Sequence, residues 1–129
     1  MEEKKSESVE VVPLESIEPY SGPHAIPGIR FRAARSRLGI SAWGMNVLQI
    51  GPHNEGHPEH DHGHDGQEEV YFVVEGEAKL LVDGKALALT QGDFVRVPPT
   101  ATRKIVTGEK SVTVLALGAT PGAVFQASM

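Results

Sequence analysis

Short apolar runs, separated by turn residues, constrain this chain more than any other feature. From residue 40 onward ISAWGMNVLQIGP, EVYFVVEGEA, KLLV, KALAL, FVRVP, RKIVT and SVTVLALGA follow one another, with turn signals at intervals of roughly 8–12 residues. Asp83-Gly84 is a two-residue hairpin signal between LLV and KALAL. Thr90-Gln91-Gly92-Asp93 and Gly108-Glu109 mark two more turns, and Pro98-Pro99 stops the run that begins at Phe94. Within the runs, residues alternate. Glu69, Tyr71 and Val73 share one face of an extended segment, and Val70, Phe72 and Val74 share the other. Trp43, Met45 and Val47 oppose Leu48 and Ile50, as in an inner strand buried on both faces. Trp43 and Met45 are read as core packing in preference to pocket lining. No stretch carries a convincing helical period, so the pattern predicts an all-β fold, an antiparallel sandwich or barrel.

The part upstream of residue 40 is less regular. MEEKKSESVE is charged and aperiodic, which reads as a solvated tail. Pro13 and Pro19 oppose a long helix, and SGPHAIPG is a loop in which His24 reads as a surface residue. Over residues 28–38, Ile29, Phe31 and Ala33 alternate with Arg30 and Arg32, which suits an edge strand; AARSRL is also compatible with a helix. Arg30, Arg32, Arg35 and Arg37 are read as a solvated face or as partners for the excess acids, with a basic patch for an anionic ligand as the alternative. With 129 residues the chain suffices for one domain. The expected organisation is a polar tail and lead-in over 1–20, a barrel over 21–120 and a C-terminal tail over 121–129.

Composition excludes several functions. A net charge of −5 and a pI near 5.6 give no electrostatic footprint for nucleic acid. The absence of cysteine removes disulfides, thiolate ligands and a cysteine nucleophile. No apolar run approaches the length of about 18 residues that a membrane helix needs. The N-terminus lacks the apolar region of a secretory signal, so a cytoplasmic location is the expectation.

The chemistry concentrates in EGHPEHDHGHDGQEEVYFVVEGE, residues 55–77. His57, His60, His62 and His64 precede Glu68 and Glu69. Neutral imidazole and carboxylate are ligands for Fe, Mn, Ni, Cu and Zn. His60, His62 and His64 alternate, so they project from one face of an extended segment, and a turn around Gly63-His64-Asp65-Gly66 returns the chain with Glu69 beside them. Glu68 has the opposite parity and faces away. Two pairings remain open, His60 with His62 or His62 with His64; His62 belongs to both. The competing reading is an exposed His-rich loop that picks up metal adventitiously.

The spacing of Gly56, His62, His64, Glu69 and Gly76 over 21 residues resembles the first motif of the cupin superfamily, and VYFVVEGEA continues the likeness. The resemblance extends over roughly residues 40–120 and implies a double-stranded β-helix, or jelly-roll, barrel. It further implies a divalent transition metal (Fe, Mn, Ni or Zn) held by His60 or His64 with His62 and Glu69. A small-molecule ligand and a homodimer packed through residues 8–38 are also implied. The family's second motif is altered. Gly92 and Pro98 hold their places, while Thr100, Arg103 and Thr107 stand where glycine, the ligating histidine and asparagine belong. A guanidinium cannot ligate a metal. Arg103 therefore clamps an anionic ligand, pairs internally with an acid such as Glu69, or faces solvent on a shifted strand. The resulting expectation is a metalloenzyme (oxygenase, isomerase or decarboxylase) acting on a small anionic metabolite, with Arg103 orienting it and Tyr71 a candidate proton donor. The alternative is a non-catalytic module that binds or senses a metabolite with little or no metal.

Overall fold

A computed structural model describes residues 8–126. Seven antiparallel strands make the fold: β1 (Ile29–Arg32), β2 (Gly44–Ile50), β3 (Glu68–Val82), β4 (Lys85–Thr90), β5 (Phe94–Val97), β6 (Arg103–Val106) and β7 (Val112–Ala119). One strand organises both sheets. The first half of β3 lies between β7 and β5 in a sheet that continues through β2 to β1, and its second half lies between β4 and β6. The register against β7 shifts between Val73 and Glu75, and Gly76 follows with φ +84°. This bulge bends β3 from one sheet into the other.

The fold is thus an all-β, antiparallel jelly roll. The inward parity of the first sheet carries Leu48, Ile50, Tyr71, Val73, Val114 and Ala116; Leu80, Leu89 and Ile105 meet them from the second. The hairpin at Asp83-Gly84 forms with positive φ at both residues (47° and 83°), the conformation that a tight primed turn requires.

Three expectations change in detail. EVYFVVEGEA and KLLV are one continuous strand, because the bulge at Val73–Glu75 bends the backbone without ending its pairing. The strand at residue 40 starts only at Gly44 and leaves Trp43 43% exposed, outside the core. Residues 28–38 divide into β1 and a short helix, α1 (Ala34–Leu38), which Gly39 ends with φ 69°. Glycine reaches that left-handed conformation at no steric cost. Within this region Arg32 pairs with Glu15 and Arg37 with Glu10. No helix among the described residues is long and apolar enough to cross a membrane.

Candidate metal centre

Residues 57–62 run extended along the edge of β6. His60 and Arg103 exchange backbone hydrogen bonds in both directions (3.0 and 2.9 Å), and the His62 N–H donates to the Pro99 carbonyl at 2.7 Å. A compact turn follows. The Gly66 N–H returns to the His62 carbonyl, Asp61 Oδ1 accepts from the Gly63 N–H, and Asp65 Oδ1 accepts from the Gln67 N–H. Side-chain to backbone bonds of this kind are why Asp and Gly cluster in turns. The chain then enters β3 with Glu69 facing the histidines.

One donor atom each from His60, His62 and Glu69 comes within 4.8 Å of the others. His62 Nε2 lies 4.0 Å from Glu69 Oε2. His64 is not in this group: its side chain is 73% exposed and its Nε2 lies 3.4 Å from Asp65. The alternation expected of His60, His62 and His64 ends at His62, because the turn begins there.

Hydrogen bonds sort the imidazoles chemically. His60 Nδ1 lies 2.9 Å from the Pro58 carbonyl, which can only accept, so the proton sits on Nδ1 and Nε2 keeps its lone pair. His62 Nδ1 lies 3.3 Å from the Asp65 carboxylate, with the same result. Burial alone would raise Asp65, but the Gln67 N–H and the His62 imidazole hold it below the usual carboxylate range. It is therefore an anionic partner, which orients the His62 ring. His57 has the opposite tautomer. Its Nδ1 accepts the Ile105 N–H at 2.9 Å, so Nε2 carries the proton. Burial, with His60, Lys104 and Arg103 nearby, lowers His57 to about 4, so it is a neutral donor near pH 7. No sequence pattern marks His57 as a donor; its contact with Ile105, distant in the chain, sets that tautomer.

Two buried arginines make an informative contrast. Arg32 is fully engaged: Nε donates to Gln49, Nη1 to the Ile17 carbonyl and Nη2 to Glu15. Arg103 is 0% exposed and donates only Nη2, to the Pro98 carbonyl at 3.0 Å; its Nε and Nη1 have no partner. Its burial disposes of the solvent-facing alternative, and no ion pair joins it to Glu69 among the described residues. Glu69 Oε1 is likewise buried and unpartnered. Each such orphan costs about 1–3 kcal/mol. Tyr71 is 1% exposed, and burial, then the charge of Glu69, push its phenol well above the ordinary range, so it stays protonated.

His57, His60, His62, Glu69 and Tyr71 line a cavity of about 410 Å³, closed on its other side by Leu48, Phe31 and Tyr20. Arg103 is not among the lining residues, whereas the exposed His24 is one of them. The residues fit a divalent metal on three counts: two Nε2 lone pairs are held by hydrogen bonds at Nδ1, a carboxylate oxygen nearby is buried and lacks any donor, and the donors are nitrogen and oxygen, as borderline transition metals prefer.

Two antiparallel sheets with imidazoles and a carboxylate converging between them define a class of jelly-roll β-proteins. The family pattern described as a cupin domain matches residues 47–118, more than half of the chain, and the chain belongs to the cupin family. Solved structures agree on the fold. A sugar phosphate isomerase of the cupin superfamily from Silicibacter pomeroyi superposes with a TM-score of 0.74 at 22% identity, covering 85% of this chain and 75% of that one. A cupin 2 conserved barrel domain protein from Salinispora arenicola gives 0.71 at 19% identity, covering 88% and 91%. A predicted oxalate decarboxylase from Thermotoga maritima gives 0.69 at 19% identity, covering 86% and 99%. Among curated proteins none matches by sequence.

Proposed function

We propose that this cupin is a metal-dependent enzyme acting on a small anionic metabolite, with His60, His62 and Glu69 as the protein ligands. The observation that carries the reading is that one donor atom each from His60, His62 and Glu69 lies within 4.8 Å of the others, on a cavity that all three line. A divalent Fe, Mn, Ni or Zn ion held there supplies Lewis acidity toward a ligand oxygen and, with three protein ligands, keeps positions free for it. The remaining residues act on the ligand directly or through the site. His57 presents a fixed Nε2–H to the cavity and holds a ligand oxygen. Tyr71 keeps its proton and donates a hydrogen bond beside Glu69. The buried Arg103 sets a positive potential that favours an anion. His64 shares no ligand atom with the other three and stays a solvent-facing partner of Asp65. Isomerase and decarboxylase chemistry, named among the structural neighbours, are the reaction classes to assay first.

The test is metal content of protein purified without an affinity tag after growth in metal-replete medium. We expect about one equivalent of metal per chain, lost in His62→Ala and in Glu69→Ala and retained in His64→Ala. An anomalous-scattering map of crystals grown without added metal identifies the ion. Metal-free protein from replete cells would overturn the reading.

A second reading, a non-catalytic module that binds a metabolite, is favoured by one observation: the buried Arg103 cation stands where the resemblance puts a further ligating histidine. Stoichiometric metal with an assayable reaction argues against it; ligand binding unchanged by metal removal argues for it.

A further inference from the structure

A second chamber, of about 380 Å³, adjoins the metal-ligand cavity, and we propose that it is an anion subsite built on Arg35 for the far end of the same ligand. This inference rests on the reading that the His60–His62–Glu69 cavity binds a small metabolite.

The two spaces share Tyr20, Phe31, Asn46 and Gln67 as common walls. Strand parity places them relative to each other. Along β2 the inward positions run Gly44, Asn46, Leu48, and from the residue before β3 into that strand they run Gln67, Glu69, Tyr71. Leu48, Glu69 and Tyr71 line the cavity, Gly44 lines the chamber, and Asn46 and Gln67 line both. The chamber therefore lies one two-residue repeat beyond Glu69, about 7 Å along the strands. A ligand whose oxygen-bearing head reaches Glu69 places its other end there.

Arg35 enters this chamber from α1. Its Nη1 donates to the Ile40 carbonyl at 3.0 Å, and its guanidinium carbon lies 6.0 Å from the Phe125 ring centroid. No described carboxylate pairs with it, although Arg32, Arg37 and Arg96 each have one. A half-buried guanidinium with five donors, one neutral partner and an aromatic ring beside it is oriented and keeps donors free for a ligand, which suits a carboxylate or phosphate bound through two oxygens. Phe125 also forms part of the chamber wall: it packs against Gly44, where a side chain would meet its ring at 3.1 Å. Glu18 lines the same chamber without pairing with Arg35, and Ser36, Asn46 and Gln67 line it too. These groups exchange hydrogen bonds with hydroxyls. The chemistry they select together is a short hydroxylated chain that ends in a carboxylate or a phosphate.

The experiment is calorimetric titration of the full chain, cobalt-loaded and metal-free, with glycolate, 2-hydroxyglutarate and 3-phosphoglycerate. All three share a 2-hydroxy-acid head; the latter two add a distal carboxylate or phosphate. We expect at least one of those two to bind the wild type about tenfold more tightly than glycolate does. Arg35→Gln should erase that advantage, with glycolate affinity and metal content unchanged, and Arg35→Lys should keep part of it. Whichever of the two ligands depends more on Arg35 identifies the distal group. An advantage absent from the wild type, or equal in Arg35→Gln, overturns the subsite even where metal and glycolate bind as the proposed function requires. Arg35-dependent binding by a protein that takes up no metal sustains the subsite and overturns the metal reading instead. Absence of Arg35-dependent binding in both forms overturns the subsite.

Discussion

Three histidines within six residues divide into two ligand candidates and one donor because of what touches Nδ1 of each ring. A carbonyl beside His60 Nδ1 and a carboxylate beside His62 Nδ1 leave lone pairs at Nε2, whereas the Ile105 N–H at His57 Nδ1 leaves a proton there. The His57 environment has a consequence for stability. Its folded value, about 4, lies below the ordinary 6.5 of the unfolded chain. Above about pH 6.5 both states are neutral and nothing is lost. As pH falls toward 4, only the unfolded state gains the proton, and metal-free protein loses up to about 3 kcal/mol across that window. Urea unfolding between pH 7 and 4 should show this slope, and His57→Asn, which keeps an acceptor for Ile105 and does not titrate, should flatten it. Arg103 invites the opposite experiment. An apolar side chain of similar volume removes a desolvated charge and two unpartnered donors, each of which costs about 1–3 kcal/mol. Arg103→Met should therefore raise the urea midpoint of the metal-free protein while weakening the binding of anionic ligands. A lowered midpoint would show that the guanidinium is satisfied in solution.

At the scale of elements, β3 supplies Glu69 and Tyr71 to the cavity and then Leu80 to the second sheet, and the bulge before Gly76 lets it do both. Gly76 is fixed by sterics as well as by its φ of +84°, since a Cβ there would collide with the Ser111 carbonyl oxygen. Both strands must give way in Gly76→Ala, and we expect a loss of at least about 3 kcal/mol by chemical denaturation. The His60–Arg103 bridge is the other structural hinge of the site. It consists of backbone hydrogen bonds, so it survives replacement of either side chain. That separation is what allows the Arg103→Met experiment to report on charge without dislodging His60.

For the whole molecule, several apolar side chains lie outside the core. Val9 is 97% exposed, Val11 89% and Phe94 75%. Val9 and Val11 lie in the N-terminal segment through which the resemblance implies pairing, and we propose that the protein is a homodimer joined there. Sedimentation at micromolar concentration should give twice the chain mass, reduced to one chain by Val9→Asp combined with Val11→Asp; a wild-type mass of one chain would sink the proposal. Metal removal acts at this scale too. Binding to the folded state alone stabilises it, by about 2.7 kcal/mol at a hundredfold excess over Kd, so a chelator should lower the melting temperature of the wild type and leave Glu69→Ala unmoved.

Local pattern sufficed wherever the physics is local. The strands near Phe94, Arg103 and Val112 and the hairpin at Asp83-Gly84 follow from alternation and turn chemistry, and the carboxylate position relative to the histidine run follows from strand parity. Local pattern left the histidine pairing open. Residues 60, 62 and 64 have the same parity, and hydrogen bonds to Arg103 and Pro99, distant in sequence, fix where the extended segment ends. It also left open the side to which Arg103 turns, the tautomer of His57 and the division of residues 28–38 into strand and helix. Each of these depends on partners brought together by sheet closure, and closure joins residues whose relation no short window of sequence contains.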